Sequence, residues 1–223
     1  MRDNLASVND RVSEAAIRSG RTGADVLVVA ISKTWPVEVV QAAVDAGADT
    51  LGENRVQGGQ AKVPAISGDP DWHLVGHLQR NKAKVAVDLF STIQSVDSVR
   101  LAREIGKHAT NTGKEVAIHL QVNTSGEASK FGVTPDDLKT LAGDVFGIEG
   151  LNVQGLMTIA ANTNDRDAVR VCFSELRQLR DKISADHPSI VDLSMGMTGD
   201  FEMAVEEGAT IVRVGTAIFG QRN

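Results

Sequence analysis

Tyrosine is absent from the 223 residues, and cysteine occurs once, at Cys172. The first absence removes the phenol from every acid–base scheme. The second rules out a disulfide within the chain and fits a reducing compartment. Positive charge is also scarce: 23 Lys+Arg stand against 29 Asp+Glu, a net charge of −6. A general nucleic-acid binder carries the opposite bias. No run of about 18 apolar residues occurs, so the sequence predicts no membrane span. The opening stretch MRDNLASVNDRVSEAA lacks the apolar centre of a secretion signal. These absences predict a cytoplasmic protein with neither membrane nor nucleic acid as partner. No linker rich in Pro or Ser divides the chain, so 1–223 reads as a single domain.

What is present is an alternation. Strand-like apolar runs occupy 26–31, 50–52, 72–75, 89–93, 116–122, 151–159, 190–194 and 210–214. Helical spacing follows the first seven, over 36–46, 53–62, 80–87, 96–108, 135–144, 166–185 and 200–207. Runs such as VLVVAI and TIVRV are apolar on both faces, which indicates a parallel sheet covered on both sides. Eight strand-then-helix units in roughly 200–250 residues predict an α/β fold, a (β/α)8 TIM barrel. An open doubly wound sheet is the alternative. Leu5, Val8, Val12, Ala15 and Ala16 fall on one helical face and predict an extra N-terminal helix packed on the barrel.

Several motifs carry no chemistry. His73 and His77 are four apart, but on a strand and its turn, where that spacing does not converge two imidazoles on a metal. The stretch GTAIFG at 215–220 is followed by Gln221 and Arg222, where a nucleotide P-loop needs Lys and Ser/Thr. Cys172 lies in a helical pattern beside Phe173 and reads as a buried, inert thiol. No GxSxG elbow is present.

Barrel active sites lie at the C-terminal ends of the strands, so the residues just after each apolar run matter most. Val29, Ile31 and Lys33 share a strand face that leads toward the barrel interior. A desolvated amine there can attack a carbonyl and form a Schiff base; the other reading is a lysine that snorkels to water. Asn54 follows the second run. Ser194, Met195 and Gly196 follow the seventh, and Gly215 and Thr216 the eighth. Glycines and hydroxyls in these two loops suit a phosphate, although each loop alone reads equally as a tight turn. Arg213 interrupts the apolar run IVRV, so its guanidinium is either paired with an acid or functional. A lysine for an aldehyde, a cradle for a phosphate and an arginine for a pyridine nitrogen together describe a site for pyridoxal 5′-phosphate (PLP).

At these residues the sequence resembles the pyridoxal phosphate homeostasis proteins, which share the fold-type III barrel of the alanine racemase N-terminal domain. The matching segments are AISKTWP at 30–36, AGADTLGENRVQ at 46–57, WHLVGHLQRNK at 72–82 and QVNTSGEASKFG at 121–132. GLMTIA at 155–160, LSMGMTGD at 193–200 and VRVGTAIFGQR at 212–222 continue the match in family order. The resemblance implies that Lys33 is the Schiff-base lysine, and that Ser194, Gly215 and Thr216 contact the phosphate. It places Arg213 at the pyridine nitrogen and Asn54 near the cofactor. Met195, Gly196 and Met197 would shape the loop beside the phosphate, with Lys130 as a secondary contact. It also implies a protein that holds PLP as a lysine aldimine and keeps vitamin B6 and amino-acid/keto-acid levels in balance. Apo PLP enzymes are the expected recipients, and a monomer is expected because no unexplained apolar stripe remains in the sequence. No catalytic turnover is expected. The alternative is a PLP-dependent racemase with His77 or His119 as its second base. A sugar-phosphate aldolase is disfavoured, because it would have no use for Arg213.

Overall fold

The computed structural model describes residues 1–221; Arg222, at the end of the last matching segment, lies outside them. Eight parallel strands close in chain order into a TIM barrel: β1 (Leu27–Ile31), β2 (Thr50–Glu53), β3 (Asp71–Leu74), β4 (Thr92–Val96), β5 (Val116–Gln121), β6 (Leu151–Met157), β7 (Asp192–Ser194) and β8 (Ile211–Val214). Closure comes from β8 pairing with β1, with Leu27 opposite Ile211 and Val29 opposite Arg213. That closed order excludes the open doubly wound sheet.

Helix α1 (Arg2–Arg18) precedes the barrel, and its buried residues are Leu5, Val8, Val12, Ala15 and Ala16, the face the spacing predicted. The connecting helices are α2 (Val37–Asp45), α3 (Val56–Lys62), α4 (Ala83–Leu89), α5 (Val99–Asn111), α6 (Leu138–Val145), α7 (Arg166–Ser184) and α8 (Phe201–Glu206). A short α9 (Thr216–Phe219) follows β8, which sequence spacing did not predict. The α1 face packs on α8, flanked by the ion pairs Arg11–Glu202 and Arg18–Glu206.

Strand alternation divides the apolar residues between two cores. Val212 and Val214 join the main core between strands and helices. Val29, Ile31, Val75 and Ile211 form a small separate cluster inside the barrel, and Arg213 shares the face of Ile211.

The fourth strand corrects the sequence reading. It was expected at 89–93 and lies at Thr92–Val96. Leu89 ends α4, and Phe90 packs on α3, where a Cβ on Gly59 would come within 2.5 Å of its ring. The real strand carries the buried polar residues Gln94 and Ser95, so a search for apolar runs slides off it. Among the described residues no helix is long and apolar enough to cross a membrane.

Candidate functional site

A cavity of about 620 Å³ opens at the C-terminal ends of the strands. That is a size suited to a small organic ligand. Lys33, Asn54, Arg213, Gly215 and Thr216 all line it, so closure of the barrel gathers residues spread over more than 180 positions of sequence.

Lys33 stands two residues past the end of β1. Its side chain is exposed, which of the two readings favours a lysine that reaches water, just past the buried Ser32. Its root is rigid. The buried Ser32 donates its hydroxyl to Glu53 Oε1 at 2.8 Å and its N–H to Gly52 O at 2.9 Å. The Lys62 ammonium donates to Ser32 O at 2.6 Å and pairs with the Glu53 carboxylate. Lys62 and Glu53 are both buried. On the other side of Lys33, Thr34 holds a φ of 67°, a costly conformation for a β-branched residue. Sequence reasoning missed this clamp, because nothing in a local pattern pairs residue 62 with residue 32.

Asn54 is set by the neighbouring loop. A Cβ on Gly76 would sit 2.2 Å from Asn54 O, so only glycine lets the ends of β2 and β3 nest.

Arg213 is 5% exposed and makes no ion pair among the described residues. Its Nη1 donates to Ser194 Oγ at 2.6 Å and its Nη2 to Thr158 O at 2.7 Å. Burial lowers its pKa to about 10, with the Asp200 charge opposing the shift. The guanidinium therefore stays charged at neutral pH, compensated chiefly by neutral acceptors, with one side on the cavity.

The β7–β8 side differs from the expected cradle. Gly215 and Thr216 are on the wall; Ser194, Met195 and Gly196 are not. Ser194 is fully buried, with its hydroxyl donated to Gln94 Oε1 at 2.7 Å. Met195 belongs to the core, and Gly196 packs so tightly that a Cβ would lie 2.5 Å from Ala204 Cβ. Met197, Thr198 and Gly199 take their place on the wall. Thr198 Oγ1 accepts from the Gly215 N–H at 3.3 Å, tying the two loops together. The signal for Thr198 was the hydroxyl in LSMGMTGD; what hid it was that β7 ends four residues earlier, at Ser194.

Lys130 reaches the wall with its ammonium held by Glu127 at 2.7 Å and by Ala160 O at 2.5 Å. That bond draws the Glu127 carboxyl below its usual range. His77 lies at the rim, stacked on Phe131 with ring centres 3.8 Å apart, and Nδ1 is 3.6 Å from Asp97 Oδ2. His119 is not on the wall: it is buried with Nε2 3.3 Å from Asp192 Oδ2, and burial pushes its pKa down. Among the described residues no group of three or more His, Cys, Asp or Glu is placed to hold a metal.

The geometry has counterparts among known proteins. The family described as alanine racemase, N-terminal domain, matches residues 5–223. A pyridoxal phosphate homeostasis protein of Vibrio cholerae is 36% identical, the alignment covering 100% of this chain and 97% of that one. The chain belongs to this family. Among solved structures, a Bifidobacterium adolescentis protein described as unknown superposes with a TM-score of 0.92 at 39% identity, covering 97% of this chain and 93% of its own. PipY of Synechococcus elongatus, solved with PLP bound, superposes with a TM-score of 0.85 at 33% identity, covering 98% and 99%.

Proposed function

We propose that this protein, as one unit over 1–223, binds PLP in the cavity and serves its supply rather than a catalysed reaction. The observation that carries the reading is one wall holding a primary amine, a guanidinium with no ion pair among the described residues and two linked hydroxyl loops. This donor set fits the group. Lys33 is the attachment point for its carbonyl carbon. Thr198 and Thr216 donate their hydroxyls to the phosphate, beside Gly215. At residue 215 the nearest protein atoms to an added Cβ are Ile31 Cβ and O, both at 3.6 Å, so the protein has room for a side chain and the glycine keeps that space open. Arg213 offers an N–H to the ring nitrogen, and Asn54 flanks the ring.

Bound PLP supplies an electrophilic carbonyl and an electron sink. Turnover of an amino acid also needs an acid–base group facing the lysine across the ligand. The chain has no tyrosine, and His119 lies off the wall. His77 alone supports the racemase alternative, and it is stacked at the rim. The role that remains is a reversible reserve that steadies vitamin B6 and amino-acid/keto-acid levels. We place it in the cytoplasm as a monomer, with apo PLP enzymes as recipients.

The test is absorbance of the protein mixed with PLP, then borohydride reduction and peptide mapping. A new visible band and a pyridoxyl adduct on Lys33 are expected. A full band in Lys33→Ala would refute the assignment. Rapid, Lys33-dependent deuterium exchange at the α-carbon of alanine would restore the racemase reading.

A further inference from the structure

A line of buried side chains runs through the barrel from the cavity to the opposite face. Arg213 Nη1 donates to Ser194 Oγ at 2.6 Å, and Ser194 Oγ donates to Gln94 Oε1 at 2.7 Å. Gln94 Nε2 lies 2.8 Å from His73 Nδ1, and His73 Nε2 lies 3.0 Å from Asp71 Oδ2. Ser194, Gln94 and His73 are all buried. Asp71 opens β3 at the N-terminal face, where its side chain is 48% exposed.

With the Gln94 amide oxygen on Ser194 and its nitrogen on His73, as the structure orients them, one ordering of protons satisfies this line. A guanidinium cannot accept, so Ser194 Oγ must accept from Arg213. The serine proton then goes to Gln94 Oε1. That turns the Gln94 amide N–H toward His73 Nδ1, which must be the unprotonated nitrogen. The ring proton is left on Nε2, facing the Asp71 carboxylate. The dipoles therefore all run the same way, from a cation at the cavity to an anion at the far rim, and each bond polarises the next. The other charged groups near His73, namely His119 and Asp192, are bonded to each other and stand outside the line.

We propose that Gln94 and His73 are positioning residues for Arg213: the line fixes the guanidinium with a donor turned to the cavity, and couples events there to the tautomer of His73. Its meaning for the ligand rests on the PLP reading above; the line itself does not.

Two measurements test it. In the 15N-labelled protein without ligand, His73 should show the pattern of an imidazole protonated at Nε2, and Ser194→Ala should move its Nδ1 resonance, although the two residues do not touch. An Nδ1 resonance unchanged in Ser194→Ala overturns the coupling, whether or not PLP binds. In the binding arm, Gln94→Leu should weaken PLP about tenfold while an analogue with carbon in place of the ring nitrogen changes by less than about twofold. Equal losses for both ligands in Gln94→Leu would show a merely structural role and end the proposal. If the wild-type protein binds neither ligand, the cofactor reading fails and the His73 resonance still decides the line.

Discussion

Lys62 and Arg213 are both buried cations, 6% and 5% exposed; Arg213 lines the cavity and Lys62 does not. Lys62 meets a carboxylate directly, that of Glu53, and both are spent on holding Ser32, the residue before Lys33. Among the described residues the Arg213 guanidinium bonds to a hydroxyl and a carbonyl and to no carboxylate. A cation matched by its own carboxylate has little field left for a ligand. A cation held by neutral acceptors keeps its charge available at the cavity. On the proposed reading, the difference separates a structural charge from a binding charge.

The comparison breaks first at Glu53. Glu53→Leu leaves Lys62 buried without its counter-charge and should cost about 3–5 kcal/mol of stability, read by urea denaturation. Replacing both partners, as Glu53→Leu with Lys62→Met, should recover most of that loss. If the single variant is as stable as the wild type, the pair does not hold the Lys33 root.

Arg213→Met should cost less, about 1–3 kcal/mol, because it strips donors from Ser194 and Thr158 without stranding a charge. Its larger effect should be on PLP affinity, measured by fluorescence titration. A variant that loses stability as Glu53→Leu does, yet binds PLP normally, would reverse the two roles.

The smallest effect belongs to Asp71. The hydrogen bond from His73, chiefly, holds its carboxyl at about 2, against an ordinary value of 3.8. A depressed carboxyl stabilises the fold above its unfolded pKa, and that contribution is lost as pH falls from about 4 toward about 2. The side chain is half exposed, so solvent screening reduces the contribution to about 1 kcal/mol or less. Asp71→Asn should therefore be slightly less stable than wild type at pH 7, and the gap should close as the pH approaches 2. A gap that widens on acidification would contradict the sign.

Much of this arrangement was legible in the sequence. The inner and outer faces of β1 and β8, the packed face of α1, and the presence of Lys33, Asn54, Arg213, Gly215 and Thr216 at strand ends all follow from alternation and position. The cavity wall was legible only to the nearest loop. LSMGMTGD offers two hydroxyls, and choosing Thr198 over Ser194 requires knowing where β7 ends and which way the next turn goes. The fourth strand was misplaced because it carries Gln94 and Ser95, buried polar residues that an apolar criterion does not see.

The sequence by itself determined the eightfold repeat, because burial on a strand or helix face is periodic and local. Only the tertiary structure decided what surrounds each charge. Ser194 lies 19 residues from Arg213, Thr158 lies 55 from it, and Gln94 lies 100 from Ser194. No local pattern relates these residues. They meet because β8 closes on β1, and a buried donor inside a closed barrel must bond to whatever acceptors the other strands bring to its level.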